Sequence, residues 1–212
     1  MDKVVIWGAS GHAKIVADII RIRKEYQIVG FLDNINFQQQ NTTFCGSQIL
    51  GGEEQLDQLL EQGINKIIFG FGDCDARLKL AEFVKSKGFQ LVTAIHPAST
   101  ISPDVIIGLG TVVVAGAVIN SGCLIGETVI INTLSGVDHD CVVRDGAHIC
   151  PGVHLGGQVT VGRGAWVGIG ACIIDHITIG SRSLIGAGAV VVGNIPENVV
   201  VYGNPAKVIK ER

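Results

Sequence analysis

Residues 101–119 read ISPDVIIGLGTVVVAGAVI, and the aliphatic side chains Ile101, Ile107, Val113 and Ile119 stand at every sixth place. The same phase continues through Ile125, Ile131, Val137, Val143, Ile149, Leu155, Val161, Val167, Ile173, Ile179, Ile185 and Val191. Sixteen consecutive positions are therefore aliphatic, and all but Leu155 are β-branched. A second set stands four residues after each. It runs from Val105, Thr111, Ala117 and Cys123 through Val129, Ser135, Cys141 and Ala147 to Ser183, Ala189 and Ile195, mostly small and never charged or aromatic. A period of six is neither the 3.6 of a helix nor the alternation of a lone strand.

Such a period is met by a hexapeptide-repeat β-helix. Three hexapeptides make one eighteen-residue turn of a triangular coil, so sixteen make about five turns, stacked about 4.8 Å apart. The β-branched residues stack on themselves inside, and the small residues fit what remains. Gly follows the aliphatic position at Gly108, Gly126, Gly156, Gly162, Gly168, Gly180 and Gly186, which predicts corners that need permissive dihedrals. Between Gly126 and Gly156 that place holds Asn132, Asp138, Arg144 and Cys150 instead. Departures from a local rule mark the places where a site is expected.

Outward from the repeat, residues 1–95 read as a separate α/β unit, with 96–212 as the second domain. Lys3-Val4-Val5-Ile6-Trp7 is a buried strand, Gly8-Ala9-Ser10-Gly11-His12 a turn, and a helical pattern starts near Ile15. Strand, Gly-rich turn and helix aim backbone N–H groups at one point, a place for phosphate. A second strand, Ile28–Leu32, ends in Asp33-Asn34, where a carboxylate can take ribose or base donors. The turn has only GxxG in place of GxGxxG, so it resembles half a dinucleotide-binding fold. Strands at 67–70 and 90–95 flank a helix around 77–87. Gly51-Gly52 marks a further close backbone approach, and Gly72 falls just after the third strand. Pro97 ends the unit by holding His96 extended.

The 212 residues carry a net charge of −3 without a basic block, which argues against nucleic acid as the main partner. No apolar run reaches membrane-spanning length, and Met1-Asp2-Lys3-Val4 leads into a strand rather than a signal peptide. A cytoplasmic protein is expected. Six cysteines show no CxxC spacing, and Cys123 and Cys141, eighteen apart, should stack in the core. They read as small buried hydrophobes in a reducing compartment.

His139, His148 and His154 fall outside both core registers, so they face corners or outer sides. Their intervals of nine and six lack the compact spacing of a metal set, and no metal is expected. His139 stands apart because Asp138 and Asp140 flank it. A neighbouring carboxylate fixes the tautomer and raises basicity, which suits a general base near neutral pH.

With these residues in view, the chain resembles the sugar-nucleotide acetyltransferases of the hexapeptide-repeat superfamily, the group of UDP-4-amino-sugar N-acetyltransferases and sialic acid O-acetyltransferases. The resemblance rests on Gly8-Ala9-Ser10-Gly11-His12, Ile95-His96-Pro97, Asn132 followed by Val137-Asp138-His139-Asp140-Cys141, and Gly203-Asn204-Pro205-Ala206-Lys207. It implies a left-handed coil and a homotrimer with active sites between subunits. It implies acetyl-CoA as co-substrate and a nucleotide-linked amino sugar as acceptor, for bacterial glycan synthesis. His139 would be the base, Asp140 its orienting partner, and Asn132 a neighbour of the acceptor amine. Relatives can carry Glu where Asp140 stands, so here a shorter arm would have to reach His139. His148 would meet the thioester region, and backbone near Gly157, Ile169 and Ala187 would line the pantetheine channel, with the Gly157 N–H for the oxyanion. Ser10, Gly11, His12, Asp33, Asn34, Gly52 and Gly72 would hold the nucleotide sugar. A UDP-linked 4-amino-4,6-dideoxy sugar is the expected acceptor. Sialic acid O-acetylation and a non-catalytic trimeric scaffold are the other readings these motifs admit.

Overall fold

A computed structural model of the protein describes residues 1–35 and 40–212. The chain divides into two compact units, Met1–Pro97 and Ala98–Arg212.

In the first unit the apolar runs become a six-stranded sheet. Its elements are β1 (Asp2–Trp7), α1 (Gly11–Arg23), β2 (Tyr26–Leu32), β3 (Thr43–Phe44), β4 (Ser47–Gly51), α2 (Leu56–Glu61), β5 (Lys66–Phe69), α3 (Cys74–Ser86) and β6 (Gln90–Leu91). The strand order is β3-β4-β2-β1-β5-β6, parallel except for the β3–β4 hairpin. Val5, Trp7, Leu32, Ile67, Phe69, Val84 and Leu91 form one core between sheet and helices. The expected strand over 90–95 is two short pieces, Gln90–Leu91 and Ala94–Ile95. The hairpin and α2 were not legible, because their apolar stretches are too short to show a period.

Gly8 is required where β1 ends. Its φ is +122°, and a side chain there would lie 2.9 Å from the Gly70 carbonyl oxygen. The chain then enters α1 from Ser10, which is extended and gives the helix no side-chain cap. By contrast, Asp73 caps α3 by accepting from Ala76 N–H at 2.8 Å.

The second unit is a left-handed parallel β-helix. Two-residue strands recur every six residues and each pairs with the strand eighteen residues on: Val112 with Ile130, Val118 with Gly136, Leu124 with Val142. One face carries Ile130–Ile131, His148–Ile149, Trp166–Val167 and Leu184–Ile185, a second Gly136–Val137, His154–Leu155 and Cys172–Ile173, a third Leu124–Ile125, Val142–Val143 and Thr160–Val161. Every sixth aliphatic from Val113 to Val191 is buried, and so is the small set from Thr111 onward. The last strands, Val199–Gly203 and Ala206–Glu211, turn antiparallel.

The corner glycines have a different role from the one expected. Gly108, Gly126, Gly156, Gly162, Gly168, Gly180 and Gly186 do not have left-handed φ. They are glycines because the next coil runs over them: a methyl group at Gly168 would lie 2.6 Å from the Ile185 oxygen and 2.7 Å from the Ala187 nitrogen. The left-handed residue stands two places later and forms a third period of six, from Gly110 to Gly188. Thr128, Leu134, Asp140, Gln158, His176 and Arg182 hold that conformation without being glycine, with φ of 52–59°.

Four of the six cysteines are buried as expected, but Cys45 is half-buried and Cys172 is exposed. Cys172 occupies the outward place of its strand, where the coil interior makes no demand.

Candidate active site

In the first unit the α1 turn, the end of β2 and the start of α3 enclose a cavity of about 310 Å³. Ser10, Asp33 and Asn34 line it together with Trp7, Phe71 and Asp73. Gly11 borders open space, since a methyl group there would meet nothing within 4 Å. The first N–H groups of α1 and an apolar chamber with a carboxylate on its wall thus lie side by side. Asp33 is buried and accepts from Ile35 N–H at 2.8 Å.

The other expected contacts, His12, Gly52 and Gly72, are not among the residues that line this cavity. Gly52 donates its N–H to Glu54, and a methyl group there would run into Asn34. Its smallness makes room for Asn34, which itself lines the cavity. The Gly72 carbonyl accepts from the buried Arg77 guanidinium at 2.5 Å, which holds the loop after β5. Burial, and after it the Arg77 charge, push the His12 imidazole down to about 4, so it is neutral at physiological pH.

In the β-helix the expected residues fall into two groups. Asn132, His148, Ile169 and Ala187 line one pocket of about 320 Å³ on the face that carries His148 and Trp166. Asn132 Oδ1 accepts from Thr133 N–H at 2.8 Å, which turns its Nδ2 toward His148 Nε2 at 3.1 Å. That donor fixes the neutral imidazole with its proton on Nδ1. The Trp166 ring lies against His148, centroids 4.3 Å apart. Tyr202 covers Gly186, where any side chain would collide with its ring. Trp166 and Tyr202 were missed. Trp166 could have been found as an aromatic beside an inward aliphatic in a repeat whose two core sets hold none.

The second group is the corner after Gly136–Val137. His139 Nδ1 is 2.9 Å from Asp140 Oδ2, with both side chains more than half exposed. Asp138 Oδ1 accepts from the His139 N–H at 2.8 Å and from Asn120 Nδ2 at 2.9 Å. The bond to Asp140, followed by the charges around it, raises the His139 pKa above the ordinary imidazole value. With Nδ1–H given to Asp140, Nε2 is left as the basic atom. Gly157, on the next coil, packs against it: a methyl group at Gly157 would lie 2.7 Å from Cε1 and Nε2 of His139. A positioned base beside backbone donors is the equipment of acyl transfer.

The structure does not bring the two groups together in one chain. Asn132 and Asp138 start successive corners, six residues or at most roughly 20 Å of chain apart. Among the described residues, no group of three or more His, Cys, Asp or Glu could hold a metal ion. No helix among them is long and apolar enough to cross a membrane.

Comparison with known proteins follows the same division. Residues 3–84 match the family model described as the PglD N-terminal domain. The chain is 32% identical over 139 residues to the GDP-perosamine N-acetyltransferase of Escherichia coli O157:H7, covering 63% of each. It is 35% identical over 117 residues to the UDP-N-acetylbacillosamine N-acetyltransferase of Bacillus subtilis (strain 168), covering 54% of this chain and 52% of that protein. The chain thus spans between half and two thirds of the length of these curated relatives. A solved structure extends the likeness over the whole chain. It is a histidine-to-asparagine variant of perosamine N-acetyltransferase from Caulobacter crescentus, in complex with CoA and GDP-perosamine. That protein is 37% identical, with a TM-score of 0.95 and coverage of 100% of this chain and 98% of that one.

Proposed function

The chain belongs to the hexapeptide-repeat sugar-nucleotide acetyltransferase family, and from that premise we propose that it transfers the acetyl group of acetyl-CoA to the amine of a nucleotide-linked 4-amino sugar. The observation that carries this reading is the His139–Asp140 pair set against Gly157. His139 Nε2 takes a proton as the sugar amine attacks the thioester carbonyl. The N–C bond forms, the Gly157 N–H holds the oxyanion, and the C–S bond then breaks. The thiolate leaves and recovers the proton as free coenzyme A. No covalent acyl-enzyme is needed, and Cys141, buried in the coil, is not a nucleophile.

The cavity at Ser10, Asp33 and Asn34 takes the nucleoside and the α1 turn its diphosphate. The pocket of His148, Ile169 and Ala187 takes the pantetheine arm. Because that pocket and the His139 corner belong to different corners of one coil, the complete site needs a second copy. The assembly that closes such sites around a threefold axis is a homotrimer. Acetyl-CoA and nucleotide sugars are cytoplasmic metabolites, which supports a cytoplasmic location.

Release of coenzyme A thiol from acetyl-CoA tests the activity, with GDP-perosamine, UDP- and dTDP-linked 4-amino sugars, and free and CMP-linked sialic acids as acceptors. Release with one amino sugar is expected and names the nucleotide. Release with sialic acids alone would move the chemistry to a hydroxyl. Light scattering that gives an active monomer would overturn the trimer.

A further inference from the structure

The corners of the coil are held in several ways. A turn hydrogen bond forms at Arg144, Cys150 and Gly168, above Val129, Ser135 and Val153, while the corners at Asn120 and Ile174, above Val105 and Val159, show neither that bond nor a donor side chain below them. Where Ala lies fifteen residues earlier in the chain, the corner makes its own turn hydrogen bond. Above Ala117 the Ser135 N–H reaches the Asn132 oxygen at 3.1 Å. Above Ala147 the Ala165 N–H reaches Gly162 at 3.1 Å, and above Ala171 the Ala189 N–H reaches Gly186 at 3.2 Å. The corners at Gly126, Asp138 and Gly156 lack this bond, and each has a donor side chain below it. Thr111 Oγ1 donates to the Gly126 oxygen at 2.8 Å, Cys123 Sγ to Asp138 at 3.0 Å, and Cys141 Sγ to Gly156 at 3.1 Å. At Gly126 the inserted side chain also accepts from the residue that would have closed the turn. Val129 N–H reaches Thr111 Oγ1 at 3.1 Å.

This insertion has a directional consequence. In a trans peptide the carbonyl and the following N–H point opposite ways. A carbonyl drawn inward by a buried donor therefore sends the next N–H outward. At Gly126 that outward N–H, on Glu127, meets the Asp145 carboxylate at 2.8 Å. At Asp138 the His139 N–H meets the Asp138 carboxylate at 2.8 Å. At Gly156 the outward N–H is that of Gly157, beside the His139 ring, and no described residue accepts it. Two of the three corners thus direct the N–H at an anionic oxygen, and at the third the corresponding N–H belongs to the glycine packed on His139.

We propose that Cys141 is a positioning residue: by holding the corner at Gly156 open, its thiol aims the Gly157 N–H at the oxyanion. The inference rests on the acetyltransferase reading above. The neighbouring Cys123 thiol and burial together keep Cys141 protonated, and so a donor. Ala fits this register, since Ala117, Ala147, Ala165, Ala171 and Ala189 already occupy it.

The test compares Cys141→Ala, Cys141→Ser and Thr111→Ala by turnover and crystal structure. Cys141→Ala is expected to close its corner, with the Val159 N–H on the Gly156 oxygen. Its kcat should fall about tenfold, part of the 10²–10³ lost with an oxyanion donor itself, with KM for acetyl-CoA within about twofold. Cys141→Ser should keep the open corner and the wild-type kcat, because Thr111 shows that a hydroxyl serves. Thr111→Ala should close the Gly126 corner at full turnover. A Cys141→Ala corner that stays open, or one that closes with unchanged kcat, would overturn the proposal, as would a Cys141→Ser variant as slow as Cys141→Ala with the same closed corner. A wild-type protein without acyl transfer would instead sink the acetyltransferase reading, and the crystal structures would still decide what sets the corner.

Discussion

His139 Nδ1 and Asp140 Oδ2 lie 2.9 Å apart although the two residues are adjacent in the chain. Sequence neighbours in an extended strand point to opposite sides. Asp140 turns back toward the ring because it occupies the left-handed corner position, with φ at 58°. The short aspartate arm suffices because the backbone supplies the reach. Asp140 raises the His139 pKa, and a general base works only when deprotonated. The acid limb of kcat/KM should therefore have its midpoint above the ordinary imidazole value of about 6.5. In Asp140→Asn the midpoint should move to lower pH. Identical pH profiles would show that the pair does not tune the base.

His139→Ala should reduce kcat by about 10²–10⁴, the usual contribution of general base catalysis. The side chain is 56% exposed, so its removal should leave the melting temperature within a degree or two of wild type, as for most surface substitutions. Thiol release and a thermal melt on one preparation separate the two effects. Near-normal turnover would remove His139 from the mechanism.

Gly157→Ala should fold and lose turnover. The new methyl group would lie 2.7 Å from the far end of a half-exposed imidazole, and the ring can swing away at little cost in stability. Displacing the base by about 1 Å is enough to cost up to about 10² in rate. The expected result is a stable protein with kcat reduced at least tenfold, and a crystal structure with the His139 ring rotated. A variant with wild-type kcat would show that the packing of Gly157 on His139 has no catalytic consequence.

The period of six made the coil legible because burial repeats at the same two places in every hexapeptide. The left-handed corner position was missed for the converse reason. Its occupants range from Gly188 to Leu134 and Arg182, since the constraint it shares from coil to coil is on φ alone. The loss of the corner glycine did mark Asn132 and Asp138. It marked Arg144 as well, which lies on the third face away from both groups, because the rule records only whether the next coil leaves room. The separation of Asn132 from His139 could be counted along the chain. The pairing of Trp166 with His148 and the thiol bond from Cys141 to Gly156 could not, because each joins residues fifteen or eighteen apart through side-chain atoms.

The two classes of corner glycine should respond differently to alanine. A methyl group at Gly168 would press on the backbone of the next coil, at the Ile185 oxygen and Ala187 nitrogen. Those atoms are held in the ladder and cannot turn aside, so the loss should be about 2–3 kcal/mol, as for an overpacked core. At Gly188 a methyl group meets nothing within 4 Å, but φ is +66°. An alanine there costs only the left-handed conformation, about 1 kcal/mol. Denaturant unfolding of Gly168→Ala and Gly188→Ala should rank them in that order. The reverse order would mean that the glycine after each aliphatic residue serves the turn and not the close stacking of coils.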